Sequence, residues 1–298
     1  MSLHLGLDLG GTNLKWAVVD GDHQARLVKT GSVLTDTTQG EQSVVRQMIE
    51  VARAVIADTD GVADVGVGVP GVIDPIAGVI RFVPNIPGHW GGLPVIEKIA
   101  GAVSLRATLI NDARAFALAE HRLGAGRGAA SMLGITLGTG VGGGLVLDGR
   151  LYLADGTAGE FGHQTILPDG PKCGCGNRGC LEALAKADAI AAACGRSGVQ
   201  ESVAAARAGD ARALQGFRDA GRYLGIGAAN VVVLLAVERI VVGGGIAGAG
   251  DLLLDPMRQE LAQRVRIKDI PHVEVVHGEL GIWAGAIGAA LHGSASPI

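Results

Sequence analysis

Cysteine is scarce in this chain of 298 residues: four occur, and three of them, Cys173, Cys175 and Cys180, fall in one short run. That scarcity excludes a disulfide framework and points to a reducing compartment. The fourth thiol, Cys194, is expected as a small core residue. Blocks of Lys and Arg are also missing, and at a formal net charge of -4 the chain offers no electrostatic footprint for nucleic acid or an anionic membrane. A small-molecule partner is favoured. Met1 to Thr12 lacks a basic segment and a cleavage-site pattern, so no secretory signal is read and a cytoplasmic location is expected. Ala129 to Leu147 lacks charge and is long enough to suggest a membrane span, but Gly138, Gly140, Gly142, Gly143 and Gly144 make it a poor helix. Two strands around a Gly-rich turn explain it better. There is no low-complexity linker.

What is present is ample apolar material, 48% of residues, enough for two lobes of ordinary size. Leu3, Leu5, Leu7 and Leu9 alternate with His4, Gly6 and Asp8, which predicts a strand ending in the turn Gly10-Gly11-Thr12. Leu14 to Val19 and Arg26 to Val33 continue as a meander, with Asp20-Gly21 as a hairpin signal. Apolar residues at helical spacing predict a helix over Glu41 to Ala57, and Asp64 to Val69 reads as a strand closed by Pro70-Gly71. Arg106 to Ile110 is a predicted strand and Asp112 to Arg122 the helix after it, so Asn111 and Asp112 stand at a strand-to-helix junction. Met132 to Leu137, Gly144 to Leu147 and Leu151 to Leu153 repeat the opening meander. Because GLDLGGT at Gly6 to Thr12 also resembles GITLGTG at Gly134 to Gly140, the two halves read as a duplicated unit.

Each half offers a Gly-rich turn between strands, where backbone N–H groups can approach phosphate oxygens without obstruction. Two such loops can grip one polyphosphate. Asp8 would lie near the phosphates through an intervening cation, for which largely water-ligated Mg²⁺ is expected. A third Gly turn, Gly243-Gly244-Gly245, suits an adenine; with Gly248 it also satisfies GxGxxG, so a dinucleotide-binding oxidoreductase is an alternative. That alternative leaves the two earlier loops and the cysteine run unexplained.

The cysteine run is ExGHx9CxCGxxGCxE, from Glu160 to Glu182. His163, Cys173, Cys175 and Cys180 can close a tetrahedral zinc site, and four protein ligands leave no open position, which makes the metal structural. One ring nitrogen of His163 on the metal would fix the other as an N–H donor. Glu160 and Glu182 are then left to accept hydroxyl donors from a neutral, hydroxyl-rich ligand such as a sugar. Their bland alternative is a pair of solvated or helix-end carboxylates, a strong one for Glu182 at the start of LEALAKADAI. His4, His89, His121, His272 and His277 have no such company and are assigned no role.

Together these residues resemble the ROK family of bacterial sugar kinases, within the actin, sugar kinase and Hsp70 superfamily. DLGGTNLK (Asp8 to Lys15) is similar to the first phosphate motif, VGVGVPG (Val65 to Gly71) to the first connecting segment, LGTGVGGG (Leu137 to Gly144) to the second phosphate motif and VVGGG (Val241 to Gly245) to the adenosine motif. The complete cysteine run resembles that of glucokinase-like members.

The resemblance implies an α/β, two-lobed actin-like ATPase (ribonuclease H-like) fold with duplicated mixed-sheet domains and an interlobe cleft. Residues 1–113 with 285–298 would form the small lobe, and 114–284 the large one. It also implies ATP-dependent phosphorylation of a hexose at its 6-hydroxyl, with Asp112 as catalytic base. Gly71, Asn85, Asn111, Asp112, Glu160, His163 and Glu182 would bind the sugar. Asp8, Gly10, Gly11, Thr12, Asn13 and Lys15 would bind the nucleotide, joined by Gly138, Thr139, Gly140 and the Gly243 to Gly245 turn. Trp90 is either sugar-side or packing, and Asp112 has the alternative role of capping the helix that begins there. Mg²⁺ and a structural Zn²⁺ are the implied ions, and a homodimer is expected by resemblance. The same family contains sugar-sensing repressors with an added helix-turn-helix, for which a first strand at Leu3 leaves no room. Which hexose is preferred, and whether polyphosphate replaces ATP, stay open in the sequence.

Overall fold

A computed structural model describes residues 2–21, 25–84, 86–267 and 272–294. In chain order the first elements are β1 (Leu3–Leu9), β2 (Asn13–Asp20), β3 (Arg26–Leu34), α1 (Glu41–Ala57), β4 (Val62–Val69), β5 (Val72–Asp74), β6 (Val79–Phe82), α2 (Val95–Val103), β7 (Arg106–Asn111) and α3 (Asp112–Leu123). Then come β8 (Met132–Leu137), β9 (Val141–Leu147), β10 (Arg150–Tyr152), α4 (Leu181–Ala185), α5 (Ala187–Cys194), α6 (Val199–Arg207), α7 (Ala211–Leu235), β11 (Arg239–Gly243), α8 (Asp251–Arg264), β12 (Glu274–His277) and α9 (Ala284–Ser294). Contacts divide the chain into one unit of Met1–Arg127, Leu153–Gly156 and Leu280–Ile298 and a second of Gly128–Tyr152 and Thr157–Glu279. They group α3 with the first unit, beyond the 113/114 boundary read from the sequence.

Among the described residues, the first unit carries a five-stranded sheet of order β3-β2-β1-β4-β7, and the second a five-stranded sheet of order β10-β9-β8-β11-β12. In both, a three-stranded antiparallel meander leads into parallel strands, so β1 corresponds to β8, β4 to β11 and β7 to β12. The duplication expected from the sequence is present as topology, in an α/β fold of mixed sheets. The uncharged stretch from Ala129 to Leu147 is β8 and β9 around the Gly turn. Among the described residues, no helix is long and apolar enough to cross a membrane.

The alternation along β1 is not the inside-outside pattern it suggests. Leu5, Leu7 and Leu9 join the apolar cluster under α1 with Val44, Met48 and Ala52, yet His4 and Asp8 are buried as well. The opposite face is covered by α9. Gly6 pairs with Gly66 across β1 and β4, and an added Cβ would fall 1.9 Å from the Ala286 carbonyl oxygen and 1.8 Å from that of Ala289, respectively. Only hydrogen at both positions lets the helix backbone rest directly on the strands. His4, left without a role by the sequence, places Nδ1 3.0 Å from the buried Asp64 carboxylate, which also takes a bond of 3.1 Å from Arg106. Arg106 also donates to the Gly293 carbonyl, which ties the far end of α9 to β1, β4 and β7.

The second unit has its own core, in which Leu133, Ile135 and Leu137 of β8 meet Phe217 and Leu224 of α7 and Leu253 and Met257 of α8. Cys194 is buried in it, as expected of a core thiol.

The seat of α9 is directly testable. Gly66→Ala should destabilise the protein by about 3 kcal/mol, the upper part of the overpacking range, because the obstacle is backbone that cannot rotate away. Gly101→Ala in α2, where an added Cβ meets nothing within 4 Å, should instead be neutral or stabilising by up to about 1 kcal/mol. Urea unfolding of the two variants measures the contrast.

Candidate active site and metal centre

In the first unit, β1, β4 and β7 run parallel, so their carboxyl ends lie side by side. Asp8, Gly71, Asn111 and Asp112 are all at those ends. Carboxyl ends of parallel strands are where open α/β sheets bind ligands. Asp8 is 7% exposed and accepts a bond of 2.9 Å from Lys15 Nζ, its cross-strand partner in β2. Its carboxyl carbon lies where a Cβ on Gly285, in the first turn of α9, would come within 2.6 Å. The following turn is held by Gly10 N–H to the Asn13 carbonyl at 3.0 Å and by Thr35, whose hydroxyl donates to the Gly10 carbonyl and whose N–H donates to Thr12. Gly11 and Thr12 remain exposed.

The cap of α3 is Asn111, not Asp112. Asn111 Oδ1 accepts from Ala113 N at 3.0 Å and Arg114 N at 3.4 Å, while its Nδ2 donates to the Gly71 carbonyl at 3.2 Å. Gly71 has φ 89°, and a Cβ there would meet the Phe82 carbonyl at 2.3 Å, so glycine is required on two counts. Asp112 is the first helical residue, with Oδ1 accepting from Ala113 N at 2.8 Å. The capping role read as an alternative for Asp112 therefore falls to its neighbour. Trp90 is 4% exposed and donates through Nε1 to the Ile86 carbonyl, which makes it packing. Asn85 lies outside the described residues.

In the second unit, β8 and β11 are parallel neighbours, and their ends carry the turns Gly138-Thr139-Gly140 and Gly243-Gly244-Gly245. Gly138 N–H closes the first turn on the Gly140 carbonyl at 2.9 Å, and Ile246 N–H reaches the Leu137 carbonyl at 3.1 Å, which joins the two turns.

The cysteine run forms a knuckle. Cys173 N–H donates to the Asn177 carbonyl at 2.8 Å, Lys172 and Arg178 form a bridge, and Ile166 N–H donates to Gly179. The ligand atoms of His163, Cys173, Cys175 and Cys180 all lie within 4.8 Å of one another. Cys175 and Cys180 Sγ are 3.7 Å apart, as are Cys173 Sγ and His163 Nδ1. A tetrahedron with Zn–S bonds of about 2.3 Å has edges of about 3.8 Å, so these spacings and this donor set fit zinc. Burial pushes the Cys173 thiol up to about 12 and raises that of Cys180, whereas the Asn177 N–H lowers that of the exposed Cys175. His163 turns Nδ1 to the thiols and has Nε2 3.8 Å from Glu160 Oε2. Glu182 is half-buried in the first turn of α4, and its Oε2 accepts from Val141 N at 3.1 Å, directly after the Gly138 to Gly140 turn. Its Oε1 lies 3.7 Å from Cys173 Sγ, which donates to it, so both oxygens are engaged by neighbouring groups, contacts absent from the linear pattern.

The model of the ROK family matches residues 4–293. The glucokinase of Thermotoga maritima is 35% identical over 96% of this chain and 95% of its own length. Among solved structures, a ROK hexokinase from Thermus thermophilus aligns with TM-score 0.84 at 39% identity, covering 98% of this chain and 97% of that one. A ROK glucokinase from Streptomyces griseus, in complex with glucose and AMPPNP, aligns with TM-score 0.82 at 34% identity, covering 98% of this chain and 99% of that one.

The Asn111 cap yields a prediction independent of any ligand. Asn111→Ala should cost about 1–2 kcal/mol, as loss of a polar N-cap does, and Asn111→Asp, which keeps the acceptor but sets a carboxylate oxygen against the Gly71 carbonyl, should recover only part of it. Denaturant midpoints of the two variants decide.

Proposed function

The chain belongs to the ROK family, and on that basis we propose that it is an ATP-dependent hexose kinase of the glucokinase kind, forming hexose 6-phosphate. The observation that carries this reading is a likeness to glucokinases that runs the length of both chains, joined to an Asn-Asp pair at the carboxyl end of β7 heading α3.

Asp112 is the candidate base. Phosphoryl transfer passes through a loose transition state, so the residue that takes the hydroxyl proton contributes chiefly by orienting the nucleophile in line. The placement of Asp112 at the head of a capped helix suits that task, because the cap fixes the backbone from which the carboxylate projects. Asn111, with its amide shared between the helix and Gly71, supports the sugar side from the same junction. Glu160, His163 and Glu182 supply further polar atoms for sugar hydroxyls, with His163 Nε2 as the donor once Nδ1 is ligated.

Asp8 and Lys15 supply charge at the first phosphate loop, and the Gly138 to Gly140 and Gly243 to Gly245 turns present backbone N–H groups to phosphate and adenosine. Mg²⁺, when bound with the nucleotide, neutralises phosphate charge, and Asp8 would hold it through water. Zinc, held by His163, Cys173, Cys175 and Cys180, would be structural and would fix the segment that presents Glu182.

Replacing Asp112 with Asn keeps its size and removes its basicity. Turnover with glucose and ATP should fall by at least about a hundredfold, the usual scale of a lost general base. Glucose affinity by calorimetry should stay within about threefold of wild type; near-normal kcat would end the assignment.

Metal analysis should find one zinc per chain, and Cys175→Ala should lower both metal content and melting temperature. Raised thiol pKa values favour the protonated form in the absence of a cation, whereas ligation requires thiolate. Zinc uptake by chelated protein at pH 7 should therefore release protons, and affinity should rise with pH. Metal-free wild-type protein with an unaltered melting temperature would refute the zinc centre.

A further inference from the structure

Glu120 is fully buried, at 0% exposure, near the end of α3. Its two oxygens reach two distant parts of the chain. Oε2 accepts from Ala125 N at 2.9 Å and Oε1 accepts from Leu280 N at 2.9 Å. Ala125 precedes the point where the chain first leaves the first unit, after Arg127, and Leu280 is the first residue of its final return, after the brief excursion at Leu153–Gly156. The Glu120 carbonyl adds to the grip, accepting from Gly124 N at 3.0 Å and Gly126 N at 2.9 Å.

Burying a carboxylate is expensive unless good hydrogen bonds compensate, and a location needing only packing is cheaper to fill with an apolar residue. Space for this carboxylate is reserved. A Cβ on Gly124 would fall 2.0 Å from Glu120 Oε2. Glycine is therefore needed there for room. The helices on either side of the clasp are also locked together, since a Cβ on Gly288 in α9 would lie 1.8 Å from the Ala115 carbonyl in α3.

We propose that Glu120 is a positioning residue. Its carboxylate clasps the chain where it first leaves and where it finally re-enters the first unit, and so holds α3 in the register that sets Asn111 and Asp112. Asp112 is eight residues before Glu120 on the same helix, about 12 Å along its axis. A helix transmits a shift at one end to the other, and a misplacement of about 1 Å at a reacting group can cost on the order of a hundredfold in rate. The clasp rests on the kinase reading only through its kinetic consequence.

The test combines hydrogen exchange with steady-state kinetics on the full chain. Glu120→Gln keeps the shape but turns an amide NH₂ toward one of the two N–H donors. Exchange in peptides covering 124–128 and 279–281 should rise at least about tenfold. With glucose and ATP, kcat should fall about ten- to a hundredfold while glucose affinity by calorimetry stays within about twofold. Gly124→Ala, which displaces the carboxylate without altering it, should reproduce both effects and serves if Glu120→Gln folds poorly.

Glu260→Gln is the control. Glu260 is a buried carboxylate of α8 paired with Arg222 and Arg264, and its loss should lower the melting temperature while leaving kcat and both crossings unchanged. If Glu120→Gln and Gly124→Ala also lower only the melting temperature, or loosen the crossings without changing kcat, the positioning role is overturned. A wild type that phosphorylates no hexose would refute the kinase reading instead, and the exchange result alone would then decide the clasp.

Discussion

Gly6 and Gly66 face each other across β1 and β4, and the backbone of α9 occupies the space where their side chains would begin. Much of the first unit follows from that contact. With α9 pressed onto the sheet, Gly285 abuts the carboxylate of Asp8, and Gly288 meets Ala115 of α3. Close-packed backbone has little compliance, so these distances are set by repulsion and are hard to perturb. The polar groups attached to that frame inherit its rigidity: Asp8 with Lys15 at the end of β1, and Asn111 bridging α3 to Gly71. Rigid support of this kind is what a site requires when its contribution is orientation.

The second unit repeats the strand order, but there Gly134, the counterpart of Gly6, pairs with Val241 and not with a second glycine. Its chemistry is concentrated in a knuckle that gathers three thiols and one imidazole within 4.8 Å of one another, and in two turns joined at the ends of β8 and β11. Glu182 connects these features, since it stands two residues after Cys180 and accepts from the backbone just beyond Gly140. A disturbance of the knuckle therefore has a short route to the backbone of the Gly138 to Gly140 turn.

Most of the architecture was legible because its signals are local. Helix α1 spans the residues its periodicity predicts, the meanders fall where Gly turns interrupt apolar runs, and the metal cluster follows from cysteine spacing alone. What escaped is tertiary. Alternation in β1 separates two covered faces and not a wet face from a dry one, which no single strand can reveal. Asn111 and Asp112 are both good caps by type, and only the backbone angles at the junction assign the role to Asn111. His4 with Asp64 joins residues far apart in the chain, as Glu120 with Leu280 does, and neither pair leaves a pattern in the sequence.

The seat of α9 also orders events in time. The strands that carry Gly6 and Gly66 are made long before the helix that covers them, which ends at Ser294. At synthesis rates of about 5–20 residues per second, the face of that sheet emerges on the order of ten seconds or more before its cover exists. Meanwhile the second unit, apart from the excursion at Leu153–Gly156, receives its strands and helices in one continuous stretch. The first unit is thus closed only after the second, and on the ribosome its bare, glycine-lined strands are the surface that chaperones would meet.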